Sequence, residues 1–158
     1  MTAQVCESII YKGKKLEMAT EPLKVILDNR PELEFYEEWT SCWRGYHGTW
    51  EIADERLYLV ELERDTSIIE DRQCIGEVFP NQNPPIFAEW FTGEIRLPTG
   101  EELLYVHMGY NSIYEKDILL QIENGNITSE KEIDNRKNIG SLSDKEKYML
   151  KDQLKWKL

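Results

Sequence analysis

Asn124-Gly125 separates the alternating run DILLQIE at residues 117–123 from a second β-favouring run at residues 126–133. Asn and Gly tolerate the positive φ that both central positions of a type I′ turn require, so the pair predicts a two-residue hairpin. The same punctuation recurs along the chain. Lys12-Gly13-Lys14 divides VCESIIYKGKKLEM, residues 5–18, into a first hairpin. Ala53-Asp54-Glu55 divides a strand over residues 46–52 from another over residues 56–62. Strands joined this closely run antiparallel, because a parallel pair needs a crossover of about a dozen residues or more. LYLVEL, residues 57–62, is apolar on both faces and predicts a central strand. IFAEWFTGEIRL, residues 86–97, reads as a strand bent at Gly93. Pro98-Thr99-Gly100 reads as a turn, with residues 102–108 returning as the next strand.

Helical signals are few. Thr20 is placed as an N-cap, with Pro22 in the first turn and Leu23, Ile26 and Leu27 on one face; Pro31 ends that helix. Ser143-Asp144-Lys145-Glu146 has capping-box spacing and opens a C-terminal helix expected to dock through Leu150 and Leu154. Residues 32–41 fit neither period, residues 64–85 leave room for a short helix before Pro80, and residues 134–142 read as a loop. The expectation is an α+β, β-dominated chain: a largely antiparallel sheet of six to eight strands with one or two helices, including a C-terminal one. With 158 residues the chain reads as a single domain spanning residues 1–158.

Charge narrows the function classes. Lys and Arg number 19 against 30 Asp and Glu, a net charge of −11. Such a surface repels phosphate backbones and anionic membranes, so neither nucleic acid nor membrane is expected as a partner. It favours and accelerates encounter with a basic protein. Cys6, Cys42 and Cys74 are odd in number and widely spaced, with no CxxC pair. That argues against a disulfide framework and a structural zinc site, and reduced thiols fit a cytoplasmic protein. The first residues lack the apolar stretch of a signal peptide, and no window is apolar enough for a membrane-spanning helix.

Two clusters carry candidate chemistry. Cys42-Trp43-Arg44-Gly45-Tyr46-His47-Gly48-Thr49-Trp50 packs aromatics, Arg, His and Cys into nine residues. Aromatics with Arg suit a ligand cleft or a protein hot spot, and equally suit sheet packing with Arg44 stacked on a ring. In Tyr105–Glu115, His107 would act as a general base if Glu115 or Glu89 oriented it; the other reading is a histidine that satisfies a structural hydrogen bond. A ligand cleft would then draw on Trp43, Arg44, Tyr46, Trp90, His107 and Tyr110. A nucleophile would pair Cys42 with His47 or His107. Glu89 and Glu94 suggest paired carboxylates, which arise by chance among so many acids. With only His47 and His107 and no HExxH spacing, neither a metal nor another cofactor is expected.

CWRGYHGTWEI, LYLVELE, FAEWFTGEIRLPTGE and YVHMGYNSIYEKDILLQIENG together resemble a family of short, uncharacterised bacterial proteins, over roughly residues 9–127. The resemblance implies no catalytic residue. Some small acidic bacterial proteins are immunity proteins that neutralise a cognate toxin. The first expectation is therefore a non-catalytic protein-binding domain of immunity type. It would meet a basic toxin, a nuclease among the candidates, through acidic residues such as Glu37, Glu38, Glu61 and Glu63, which would mimic phosphates. The second is a small-molecule binder or enzyme using the Trp/Arg/His cleft.

Overall fold

The turn dipeptides fold as their chemistry requires. In the computed structural model, which describes residues 2–139 and 142–155, Lys12 and Gly13 have φ of 50° and 76°. They join β1 (Glu7–Tyr11) to β2 (Lys14–Met18). Asp54 and Glu55, at φ 51° and 61°, join β3 (Tyr46–Ala53) to β4 (Arg56–Arg64). Asn124 and Gly125, at φ 48° and 81°, join β7 (Ile113–Glu123) to β8 (Asn126–Asp134). The remaining strands are β5 (Ile86–Phe87) and β6 (Gly93–Leu104).

All eight strands form one mostly antiparallel sheet in the order β2-β1-β3-β4-β8-β7-β6, with β5 also paired to β4. The exception to antiparallel pairing is β1 beside β3, with Ser8 opposite Thr49. The long connection from β2 to β3 makes this possible, and it carries helix α1 (Lys24–Asp28). The sheet curls until its ends meet: the Ala19 N–H donates to the Arg96 carbonyl at 2.9 Å, and the Arg96 N–H donates to Thr20 Oγ at 3.0 Å. Inside the curl lie Ile9, Met18, Trp50, Leu57, Leu59 and Leu120, all fully buried. A smaller cluster of Leu104, Val106 and Met108 packs with Leu142.

Thr20 spends its hydroxyl on Arg96, so it does not cap α1; Leu23 stands at the N-cap without a side-chain bond. β4 is central, paired on both edges, and its second face is half-buried: Tyr58 packs on Phe87 with ring centroids 5.7 Å apart. The expected strand over residues 86–97 divides at a turn over Glu89-Trp90 into β5 and β6. Pro98-Thr99-Gly100 is not a hairpin turn, for β6 runs through it. The reason is geometric. Arg96 points its backbone polar groups away from β7, and two residues along Pro98 faces the same way, so its missing N–H costs no ladder bond. The register slips between Thr99 and Glu102, where Gly100 has φ 82°. Residues 105–112 are then a loop, pinned by the Arg96 guanidinium on the carbonyls of Tyr110 (2.7 Å) and Ser112 (2.9 Å).

Two single-turn helices, α2 (Ile75–Val78) and α3 (Arg136–Ile139), lie in the stretches that lacked a clear period. Helix α4 (Asp144–Lys155) begins as its capping box predicts, with Ser143 Oγ accepting from the Glu146 N–H at 3.2 Å. The side chains of Leu150 and Leu154, on which the expected docking rests, lie outside the described part of the structure.

Gly125 gives the β7–β8 turn a sharp test. A Cβ there would sit 2.7 Å from the Ala88 carbonyl oxygen, at a φ that L-residues rarely adopt. Gly125→Ala should cost about 1–3 kcal/mol for the backbone alone, and more for the clash. It should lower the melting temperature by several degrees. An unchanged melting curve would show that the turn relaxes freely.

Candidate functional site

Three chain segments meet around Arg44. Residues 2–5 run between the 39–43 coil and the 105–112 loop. The Gln4 N–H donates to the Gly109 carbonyl (2.9 Å) and the Val5 N–H to the Ser41 carbonyl (2.8 Å). The Gln4 amide holds the coil from the side, donating to the Thr40 carbonyl and accepting from the Trp43 N–H at 2.7 Å. Arg44 completes the junction by donating to the Val5 carbonyl at 2.6 Å and to the Tyr110 hydroxyl at 3.1 Å. Its guanidinium also lies 5.6 Å from the Tyr46 ring centre.

The same guanidinium fixes His47. Arg44 Nη2 lies 3.4 Å from His47 Nδ1, and Arg can only donate, so Nδ1 is the acceptor. The proton of the neutral ring then sits on Nε2 and points at Ser8 Oγ, 3.2 Å away. Burial first, and Arg44 second, hold the His47 pKa below its ordinary value. In this tautomer His47 donates to Ser8 and cannot take its proton, and a cation stands where a catalytic triad keeps a carboxylate. Ser8 was not singled out from sequence, because its partner lies on another strand.

The cysteines have the wrong surroundings for nucleophiles. Cys42 is buried and its thiol donates to the Tyr46 carbonyl at 3.5 Å; burial raises its pKa despite Arg44. Burial also pushes Cys6 and Cys74 up to about 11. Among the described residues, no three His, Cys, Asp or Glu side chains converge as metal ligands.

The proposed cleft residues divide. Trp43, Arg44, Tyr46 and Tyr110 line one open cavity of about 530 Å3, with Phe35 and Leu33 on its wall. Trp90 is half-buried against the core, stacked on Phe79 at 5.3 Å and donating its indole N–H to the Pro22 carbonyl. His107 is exposed and bonds the Tyr105 hydroxyl at 2.7 Å, while Glu115 accepts instead from the Glu101 N–H. Glu94 accepts from Gln121, and Glu89 is exposed.

The carboxylates gather on the other side of the 32–45 coil. Glu32, Glu34, Glu38, Asp65 and Asp71 bound a recess of about 540 Å3. The one cation lining it among the described residues, Arg64, is ion-paired with Glu77 and lies 5.3 Å from the Phe35 ring. Asp65 Oδ2 is buried there without a hydrogen-bond partner. Glu38 accepts from the Ser67 N–H through both oxygens, which ties the coil to the 65–71 loop; the Ser67 hydroxyl first, and its N–H second, lower the Glu38 pKa. Gly45 lets the coil cross close by: a Cβ there would sit 2.6 Å from the Tyr36 carbonyl oxygen. At the rim Tyr36 and Trp39 are 71% and 58% exposed. Glu63 lines an adjoining hollow with Trp39 and His47, and Gln73 bridges Glu63 to Glu61; Glu37 is exposed on the coil.

No helix of the described residues is long and apolar enough to cross a membrane. Compared with protein-family models, with curated proteins and with solved structures, the chain matches none of them, so the reading of its function rests on this geometry.

Proposed function

We propose that the chain is a non-catalytic protein-binding domain that engages a basic protein through the acidic recess and its aromatic rim. The form of that role we favour is an immunity-type protein neutralising a basic toxin, with a nuclease among the candidates. The observation that carries the proposal is the pairing of charge with exposed rings. Five carboxylates bound a recess whose one lining cation among the described residues is paired with Glu77, and of the five Glu32 is paired with Arg30 at 3.0 Å. Beside them Tyr36 and Trp39 are held in solvent, with Ile68 and Ile69 on the facing loop also exposed. Large exposed apolar groups mark interaction surfaces, and Tyr and Trp are the side chains that most often anchor them. Lys and Arg of a partner would meet Glu34, Glu38 and Asp65 while its apolar groups cover the rings.

The test is co-expression with the product of the neighbouring gene. That product should be toxic alone, tolerated with this chain and co-purified with it. Tyr36→Ala or Trp39→Ala should weaken the complex at least about tenfold. Charge reversal at Glu34, Glu37, Glu38, Glu61, Glu63 or Asp65 should mainly slow association. Added salt should do the same, because the screening length shrinks from ~8 Å at physiological ionic strength to ~3 Å at 1 M. A harmless neighbour sinks the toxin reading. A bound partner whose association rate ignores salt sinks the role given to the carboxylates.

A further inference from the structure

The Arg44 cavity has a chemistry different from the acidic recess. Its wall is aromatic and aliphatic, from Phe35, Leu33, Trp43 and Tyr46. Four charged side chains line it, two of each sign. Lys24 and Asp28 neutralise each other at 2.7 Å on the exposed side of α1. That leaves Arg44 and Glu21, which form no ion pair with each other or with another described residue.

Arg44 is the more telling of the two. All its hydrogen-bond partners are neutral: the Val5 carbonyl, the Tyr110 hydroxyl and the His47 ring. Its Nε is buried without a partner. The nearby Glu7 carboxyl is turned elsewhere, with Oε1 accepting from the Gly48 N–H and the Trp50 indole. A partly buried guanidinium normally takes a carboxylate in charge-assisted hydrogen bonds. Among the described residues no side chain supplies one.

We propose that this cavity binds a small zwitterion of the free amino-acid class with a large apolar or aromatic side chain. Its carboxylate meets Arg44, its ammonium group meets Glu21, and its side chain lies against Phe35, Trp43 and Tyr46. The cavity volume of about 530 Å3 is in the range of small-ligand sites. The balance of one free cation and one free anion over an apolar floor selects a zwitterion over a simple acid or amine.

Calorimetric titration of the purified chain tests this with L-phenylalanine, L-leucine and L-tryptophan as probes. At least one should bind saturably, with Kd on the order of micromolar to millimolar, as suits so small a ligand. Phenylalaninamide, which lacks the carboxylate, and 3-phenylpropionate, which lacks the amine, should each bind at least about tenfold more weakly than phenylalanine. Glycine, without the apolar body, should not bind measurably. Glu21→Gln should leave 3-phenylpropionate unaffected while lowering phenylalanine towards it. Arg44→Gln should abolish the dependence on the carboxylate. Because Arg44 also ties Val5 to Tyr110, that variant is read only if its melting curve is retained, and Glu21→Gln decides the matter otherwise. Failure of all three amino acids to bind at tens of millimolar overturns the proposal, as does a phenylalaninamide affinity equal to that of phenylalanine. Neither result touches the protein-binding role, which rests on the opposite side of the coil.

Discussion

Trp50→Ala should lower the stability of the fold by about 3–5 kcal/mol, the range for deleting a fully buried large aromatic. That is a large share of the about 5–15 kcal/mol that holds a typical domain together. Trp50 is fully buried on the inner face of β3, with its ring centre 6.4 Å from that of Trp90. Its indole N–H is also one of two donors to Glu7, so truncation opens a cavity and strips a buried carboxyl of half its hydrogen bonding. Trp43→Ala, at a ring 40% exposed on the cavity mouth, should cost far less, within about 1 kcal/mol. The contrast is measured by urea unfolding followed by circular dichroism, comparing midpoints at constant m. Equal midpoints for the two variants would mean that the β3 face is not the core.

The hairpins were legible because each is a local device: a dipeptide able to take positive φ, flanked by alternating residues. β6 was not legible, because whether Pro98 breaks a strand depends on which edge its nitrogen faces, and that depends on a neighbour some eighty positions away in sequence. The helix cap at Thr20 failed for the same reason, since its hydroxyl is claimed by the distant Arg96. Residues 32–38 held more signal than the lack of a period suggested. Glu32, Glu34, Tyr36 and Glu38 line the recess, while Leu33 and Phe35 line the cavity on the other side. An alternating segment need not pair as a strand; here the alternation separates two surfaces. Trp43, Arg44, Tyr46 and Tyr110 came together because two loops converge on residues 2–5, a meeting no spacing in the sequence encodes. Glu7 had a readable clue. It shares the parity of Ile9 and Tyr11 in β1, which puts a carboxylate on the inward face.

That inward carboxylate should make stability fall as pH rises from about 4.5 to 7. Glu7 is fully buried, and its Oε2 has no hydrogen-bond partner. Gly48 leaves room for the carboxyl, since a Cβ there would overlap Oε1. Burial pushes the pKa up from 4.5 to about 7, against the pull of Arg44 and the bond from Trp50. In that window the folded chain holds a proton that the unfolded chain has released, so raising the pH favours unfolding. The full cost, reached above pH 7, is about 3 kcal/mol. His47 works the other way. Its depressed pKa means the unfolded chain takes up a proton first as pH falls through the ordinary histidine range, so it favours the folded state at higher pH. The surface carboxylates with lowered pKa, at Glu32, Glu38, Glu130 and the half-buried Asp134, act below this window. Glu7→Gln separates these effects, because it keeps an oxygen to accept from Gly48 and Trp50 and removes only the ionisation. Its unfolding midpoint relative to the wild type should rise steadily between pH 4.5 and 7 and level off above. It should start somewhat below the wild type, because the buried amide leaves two N–H donors unpaired where the protonated carboxyl leaves one O–H. A difference between the two proteins that stays constant from pH 4.5 to 8 would mean that Glu7 ionises in the folded chain as it does in the unfolded one.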